Sequence, residues 1–219
     1  VHIQFRMLPA GIGYEPVGTF TQEGNDIANP TESLNINTLL SIAILCSDAQ
    51  LKKEDNQYRI LGDPTEGALV TLAGKAGITQ ENINEKYPRI EELPFDSDRK
   101  LMTTFHKNFI PNKIVSFTKG APDILIGKSS SIYVNGEIIP FTDELKKKVL
   151  ATNSQFAKEA LRVLSMAFRQ YDSLPTEINP ETIENDMVFV GLMGMIDPPR
   201  EEAKEAIAKC KHAGIHTVM

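Results

Sequence analysis

The 219-residue chain carries 23 Lys and Arg against 29 Asp and Glu, a formal net charge of −6. This balance argues against a broad nucleic-acid-binding surface, which needs a clustered basic excess. A hydrophobic content of 41% suffices for a core, and no stretch approaches the roughly 18 consecutive apolar residues of a membrane helix. We therefore expect a folded, soluble chain that makes no direct membrane contact.

The first elements are short. A strand-like opening reaches Met7, and a turn-rich segment of prolines and glycines follows. Apolar residues along one side of residues 31–49 predict a helix, and residues 57–61 predict a short strand. Asp63 and Glu66 occupy the N-cap and capping-box positions of a second helix.

Strands dominate the middle of the chain. Residues 90–95, 101–106 and 114–119 are rich in β-branched and aromatic side chains and are separated by short polar connections. Asn135-Gly136, inside the segment 131–139, is a strong hairpin signal. These segments predict neighbouring, mostly antiparallel strands.

The next elements complete the sheet. Residues 143–161 have the pattern of a long amphipathic helix, 162–168 is strand-like, and 187–196 is a final apolar strand. Together the elements predict an α+β fold, a twisted antiparallel sheet of about six strands flanked by helices.

The chain changes character at Asp197-Pro198-Pro199-Arg200. Tandem prolines stop the preceding strand, Asp197 can cap a helix over residues 201–212, and residues 215–219 begin another strand. A strand without partners predicts that the chain is a piece of a longer protein.

Lys119 ends a predicted strand, and Gly120 follows it directly. Gly120 removes side-chain bulk beside the lysine, and Pro122 fits the first turn of a helix. A lysine fixed at such a corner suits a planar ligand with negative charge at one end. An ordinary turn with a solvated lysine is the simpler explanation of these residues taken alone.

Three other positions have both a functional and a structural interpretation. Phe95, with Lys100 five residues later, could stack a base and reach its phosphates, although a phenylalanine here is more often in the core. Glu66 could accept a hydrogen bond from an exocyclic amine, or simply belong to the capped helix. Arg162 could contact a phosphate or ribose, or be a solvated strand end.

Several chemistries lack their motifs. The sequence contains neither a Gly-x-x-x-x-Gly-Lys-Ser/Thr loop nor a Gly-x-Gly-x-x-Gly fingerprint, so a bound nucleotide must be held by side chains. No hydrolase triad, His-Glu-x-x-His motif or EF-hand loop occurs, and we predict no catalytic residue within the chain.

The cysteines and histidines do not form a predicted metal site. Cys46 and Cys210 lie far apart in helical patterns, which predicts reduced thiols rather than a disulfide. His212 and His216 are four apart, but Gly214 separates them at a predicted helix end, which disfavours a zinc pair.

Five motifs occur in this order: Asp63-Pro64-Thr65-Glu66, Phe95-Asp96-Ser97-Asp98-Arg99-Lys100, Lys119-Gly120-Ala121-Pro122, Arg162-Val163-Leu164 and Asp197-Pro198-Pro199-Arg200. With these motifs the chain resembles the cytoplasmic part of P-type cation-transporting ATPases. It looks most like the type II branch, the calcium-pump and sodium/potassium-pump relatives, over nearly its whole length.

The resemblance implies two parts. Residues 1–193 would form the nucleotide-binding domain, and 194–219 the hinge and an incomplete fragment of the phosphorylation domain. ATP would be the ligand, and the phosphorylation and actuator domains of the same parent chain would be the partners. The domain would be a monomer on the cytoplasmic side of a membrane, and Mg²⁺ would act in the full-length pump without being ligated here.

The resemblance also implies a binding role for nine residues: Glu66, Phe95, Ser97, Lys100, Lys119, Gly120, Ala121, Arg162 and Leu164. Phe95 would stack on adenine, Glu66 would accept the adenine amine, Lys119 would line the adenine pocket and Leu164 would pack beside the base.

The remaining members would serve the backbone of the site and the phosphates. Gly120 and Ala121 would let the base lie close to the strand. Lys100 would approach the phosphates, and Arg162 would contact ribose and phosphates. Ser97 stands where animal calcium pumps carry an arginine, so one phosphate contact would be missing.

The catalytic motifs of the family are outside the sequence. The phosphorylated aspartate would lie just before Val1, and the motifs for phosphate and magnesium would follow Met219. The chain would therefore bind ATP without hydrolysing it, and calcium is the ion expected from the branch. The alternatives are a non-catalytic interaction module and a fragment of a haloacid-dehalogenase-type phosphatase, whose Asp-x-Asp-x-Thr motif does not occur.

Overall fold

A computed structural model describes residues 7–9, 14–55, 57–196 and 201–216. Two small antiparallel sheets come first in the chain. Their strands are β1 (Met7–Pro9), β2 (Phe20–Gln22) and β3 (Asn25–Ile27) in one, and β4 (Gln50–Glu54) and β5 (Gln57–Leu61) in the other. Most of the predicted opening strand, residues 1–6, lies outside the described residues.

The main sheet has seven strands in the described part of the chain, where the sequence predicted about six. They are β6 (Arg89–Asp96), β7 (Leu101–Lys107), β8 (Ile114–Gly120), β9 (Ser129–Val134), β10 (Glu137–Pro140), β11 (Arg162–Tyr171) and β12 (Met187–Met195). Their spatial order is β10-β9-β12-β11-β8-β7-β6. All neighbours are antiparallel except β12 and β9, which run parallel. The predicted α+β class with a mostly antiparallel sheet is confirmed.

Seven α-helices lie in the described ranges. They are α1 (Leu34–Leu45), α2 (Pro64–Lys75), α3 (Gln80–Lys86), α4 (Pro122–Gly127), α5 (Asp143–Lys158), α6 (Pro180–Ile183) and α7 (Glu201–His212), and a 3-10 turn precedes α1 at Pro30–Glu32. Asp63 caps α2 as predicted, because its side chain accepts from the amides of Thr65 at 2.8 Å and Glu66 at 3.1 Å. Burial acts to raise the pKa of Asp63, but these hydrogen bonds outweigh it and hold the pKa below its ordinary value.

The two faces of the sheet pack against different helices, because strand side chains alternate between faces. On one face Phe117 and Met166 belong to a buried cluster with Ile42 of α1 and Leu69 of α2. On the other face a second cluster joins Leu101, Leu125, Ile132 and Phe189, with α5 packed against it. The sheet is therefore a central layer whose strand ends are held rigidly from both sides.

The predicted C-terminal elements fall partly within the described ranges. The helix over residues 201–212 is present as α7, while Asp197-Pro198-Pro199-Arg200 and the end of the predicted strand 215–219 lie outside them. None of the helices in the described ranges is both long and apolar enough to cross a bilayer. Both cysteines are free thiols, and burial raises the pKa of Cys46.

His106 lies fully buried in β7. Its Nδ1 is 2.9 Å from the carbonyl oxygen of Tyr87, and its Nε2 is 2.9 Å from Oγ1 of Thr104. A carbonyl can only accept, so Nδ1 carries the proton and Nε2 accepts from the threonine hydroxyl. Burial is the main cause that lowers the pKa of His106 from 6.5 to about 4.

We expect the free energy of unfolding to decrease as pH falls from 6.5 towards 4. The unfolded chain takes up a proton at its ordinary histidine pKa of 6.5, whereas folded His106 does so only near 4. This stabilisation, about 3 kcal/mol in all, is fully present at pH values above the histidine pKa of the unfolded chain. It is lost as the pH falls through the pKa of folded His106. Urea unfolding across this range should show a smaller slope with pH in His106→Gln. The exposed His212→Gln is the control and should keep the wild-type slope, and an unchanged slope in both variants would contradict the assignment.

Candidate functional site

The predicted site residues meet at one end of the main sheet, where β6 and β8 finish and β7 and β11 begin. Leu101, at the start of β7, pairs with Asp96 at the end of β6 and with Gly120 at the end of β8. Gly120 in turn pairs with Ser165, three residues after the start of β11. The fold thus brings the predicted site segments side by side.

These segments also share a face. Met102, Lys119 and Met166 are cross-strand partners on β7, β8 and β11, so their side chains point the same way. Phe95 directly precedes Asp96 at this strand end, and Leu164 is half-buried against the same core cluster. This face and strand end define the candidate site.

A buried ion pair between Lys119 and Glu66 lies at the inner end of the site. Lys119 Nζ is 2.5 Å from Glu66 Oε1, and only 6% of the lysine side chain and 13% of the glutamate side chain are exposed. Glu66 Oε2 accepts from the backbone amides of Asp48 at 2.7 Å and Ala49 at 2.9 Å. The capping-box interpretation of Glu66 is therefore wrong, because its carboxylate binds the segment after α1.

Lys119 makes two further contacts with that segment. Its Nζ donates to the carbonyl oxygen of Cys46 and lies 3.2 Å from Oγ of Ser47. An ammonium group has three N–H donors, and with Glu66 these acceptors occupy all of them. Lys119 can therefore contact a ligand through its alkyl chain, and it orients Glu66. A hydrogen bond from its ammonium group to a ligand would require one of the present hydrogen bonds to break.

Phe95 is exposed. Its relative exposure is 61%, and every other phenylalanine in the described part of the chain is buried or half-buried. The alternative that Phe95 belongs to the core is therefore wrong. An aromatic ring held open to solvent at a strand end is available for stacking.

The turn after Phe95 is built on Asp96. Asp96 Oδ1 accepts from the amides of Asp98 and Arg99, both at 2.9 Å, and its carbonyl accepts from the Lys100 amide at 2.7 Å. The Arg99 amide contributes most to holding the pKa of Asp96 below its ordinary value. Lys100 has a positive φ of 57°, an uncommon conformation for a non-glycine residue, and its side chain is exposed. The turn therefore presents Lys100 and the exposed Ser97 to solvent.

Steric packing requires glycine at position 120. A Cβ at this position would lie 2.2 Å from the Lys100 carbonyl oxygen and 2.6 Å from Cδ2 of Leu101. The same Lys100 carbonyl accepts from the amide of Ala121 at 3.1 Å. The close contact between β8 and the Asp96 turn therefore requires a residue without a side chain at position 120.

Arg162 begins β11 and is exposed at the rim of the site. Its positive charge is among the causes that lower the pKa of Asp63 at the start of α2, so the two side chains are within electrostatic reach. The strand ends around the site therefore carry two exposed cationic groups, Lys100 and Arg162.

Sequence reasoning missed the segment 46–49 as a part of the site. It contributes backbone amides and a carbonyl to the Lys119–Glu66 pair, and backbone groups leave no compositional signal. In the described ranges, no group of three or more His, Cys, Asp or Glu side chains could hold a metal ion.

The sequence matches the family described as P-type ATPase, cytoplasmic domain N, over residues 35–202. The chain belongs to this family. The N domain is 41% identical over 210 residues to the calcium-transporting ATPase of Bacillus subtilis, covering 96% of this chain and 23% of that protein. The predicted resemblance to the calcium-pump branch is confirmed.

Two further similar proteins are also named as calcium-transporting ATPases. The N domain is 44% identical over 181 residues to the calcium-transporting ATPase lmo0841 of Listeria monocytogenes, covering 83% of this chain and 20% of that protein. It is 31% identical over 238 residues to the endoplasmic reticulum-type calcium-transporting ATPase 3 of Arabidopsis thaliana, covering 96% of this chain and 23% of that protein. The N domain therefore spans less than a quarter of the length of these relatives.

We expect Lys119→Met to be strongly destabilising. The variant strands the Glu66 carboxylate and the Cys46 carbonyl in a buried site, and breaking a buried ion pair costs about 3–5 kcal/mol. The control is Lys113→Met, since Lys113 forms an ion pair with Asp172 in which both side chains are well exposed. Exposed pairs contribute about 0–1 kcal/mol. Urea unfolding should separate the two variants, and equal stabilities would contradict the structural role of Lys119.

Proposed function

We propose that this N domain binds ATP and, in a parent P-type cation pump, presents the γ-phosphate to an aspartate of the phosphorylation domain. The single observation that carries the proposal is the exposed ring of Phe95, at the end of the sheet where the buried Lys119–Glu66 pair also lies, in a domain of this family. Base stacking on such a ring is worth roughly 1–3 kcal/mol. Phe95 would therefore be the main contact with adenine.

Glu66 has room for one more hydrogen bond. An ionised carboxylate offers about four acceptor positions, and two amides and the Lys119 ammonium occupy three of them. The remaining position suits the exocyclic amine of adenine. Lys119 then acts by holding Glu66 in place, while Leu164, Gly120 and Ala121 form the floor beside the base.

The phosphates would lie towards the cationic rim. Lys100 and Arg162 are exposed, so their contacts with phosphate are partly hydrated and weak. Ser97 supplies a hydroxyl where an arginine would supply a charge. Because ordering costs offset much of the contact energy, we expect a dissociation constant on the order of 10 μM to 1 mM.

The coupling to transport belongs to the parent protein. In that proposal residues 1–193 form the nucleotide-binding domain, and residues 194–219 form the hinge and a fragment of the phosphorylation domain. The relatives' names support calcium as the transported ion. In this proposal magnesium would act in the full-length pump without being ligated by this chain. The isolated domain would be monomeric and would not hydrolyse ATP.

We expect Phe95→Ala to weaken ATP binding by about tenfold or more, because the stacking surface is lost. Ile138→Ala is the matched control, since Ile138 is an exposed apolar residue on β10, at the opposite edge of the sheet from β6. ATP titrations followed by NMR measure both. If wild type showed no shifts near Phe95 and Lys119 at millimolar ATP, the proposal would fail. Unchanged binding in Phe95→Ala would favour the interaction-module alternative, and phosphate release by the chain would favour the phosphatase alternative.

We expect wild type to bind ATP more tightly than inosine triphosphate by about three- to tenfold. Inosine presents a carbonyl oxygen to Glu66 where adenine presents an amine, so a hydrogen bond is lost and two acceptors face each other. Glu66→Gln should reduce this preference, because an amide can donate to the carbonyl. Competitive titrations with both nucleotides test this, and an equal affinity in wild type would remove Glu66 from the base site.

A further inference from the structure

Phe95 lies where the edge strand loses its regular pairing. β6 is the outermost strand of the sheet, and its register with β7 shifts between Leu93 and Asp96. Pro94 and Phe95 fall in this irregular stretch, and Pro94 has no amide hydrogen to donate. Phe95 is therefore carried by an irregular part of β6.

Arg99 provides a hydrogen bond to this irregular stretch. Its Nη2 donates to the carbonyl oxygen of Pro94 at 2.6 Å, and its Nη1 forms an ion pair with Oε1 of Glu184. Its own backbone amide is held by Asp96 at 2.9 Å. One side chain thus spans from the residue before Phe95 to an acid that is distant in sequence, and only 23% of it is exposed.

Glu184 is a rigid anchor for that side chain. It follows α6, is completely buried, and its Oε1 accepts from the Thr103 hydroxyl at 3.0 Å. Thr103 Oγ1 is also 2.9 Å from Thr118 Oγ1. Because the Thr103 hydrogen is directed to Glu184, Thr118 must donate to Thr103. The anchor is therefore connected to β7 and β8, the two strands that follow β6 in the sheet.

We propose that Arg99 and Glu184 are positioning residues that fix the stacking ring of Phe95 and the phosphate-facing Lys100 before nucleotide arrives. This inference rests on the proposed ATP-binding function. Arg99 touches neither base nor phosphate in this proposal; it acts through Pro94 and the Asp96 turn. Pre-ordering these two side chains removes an entropic cost of binding, which is how the pair would raise affinity.

The chemistry of the contact requires arginine. The guanidinium group forms a planar fork, so it can donate to Glu184 and to the Pro94 carbonyl at the same time. A lysine carries its donors on a single nitrogen and lacks the fixed fork that places one nitrogen at each acceptor. We expect Arg99→Lys to preserve the charge while weakening the bridge.

The first test compares Arg99→Lys and Glu184→Gln with wild type by ATP titration. We expect each to weaken ATP binding by about three- to tenfold, the cost of ordering one or two side chains on binding. Because removing Arg99 leaves a buried carboxylate, the double variant Arg99→Met/Glu184→Gln is included to keep the fold intact. The double variant should bind ATP no more weakly than the weaker-binding single variant, because all three variants disrupt the same Arg99–Glu184 contact.

The second test is a readout that does not need nucleotide. Hydrogen exchange of the Asp98, Arg99 and Lys100 amides should be faster by about tenfold or more in the variants than in wild type. The control is Ile132→Val, a buried substitution in β9 within the core cluster on the far side of the sheet. It should lower stability while leaving ATP affinity and exchange in the turn unchanged.

The possible outcomes distinguish the positioning role of Arg99 and Glu184 from the proposed ATP binding. If wild type binds ATP and the bridge variants bind it equally well, or if exchange in the turn is unchanged, the positioning role is overturned and ATP binding stands. If Ile132→Val weakens ATP binding as much as Glu184→Gln, the effect is general destabilisation and the inference also fails. If wild type binds no ATP, both fail together, and the wild-type titration alone shows it.

Discussion

The buried contact between Lys119 and Glu66 is the interaction on which the site depends. Burying two charges is costly, and here four hydrogen bonds to the segment after α1 offset that cost, three to its backbone and one to the Ser47 hydroxyl. The contact joins the end of β8, the end of α1 and the first turn of α2. Three elements that are distant in the sequence therefore meet at one point with a defined geometry.

That point of contact determines how the rest of the site is arranged. The strand end next to Lys119 is closed by Gly120, which lets the Asp96 turn lie directly against β8. This turn leaves both Lys100 and the neighbouring Phe95 exposed. The site thus has a buried inner end and a solvated outer end, an arrangement that is consistent with the proposed binding of ATP.

Much of the fold follows from local patterns. The Asp63 cap, the hairpin at Asn135-Gly136 and the strands beside Lys119 are each set by neighbouring residues, and all are present in the structure. The count of strands differed because both arms of the hairpin join the main sheet. The parallel pairing of β12 with β9 brings together residues far apart in sequence, and no periodicity reports such a pairing. Glu66 was also misread, since a carboxylate three residues after an N-cap suits a capping box until a buried lysine competes for it.

The sequence by itself determined the order of the elements, the family and the identity of the candidate binding residues, because short motifs and local periodicity are encoded by adjacent positions. Only the tertiary structure decided how those residues are used. It showed Phe95 exposed rather than buried, Lys119 saturated by protein acceptors, and Arg99 joined to Glu184 across the edge of the sheet. Burial and hydrogen-bond satisfaction depend on what the rest of the chain places around a side chain, and that is settled only when distant segments pack together.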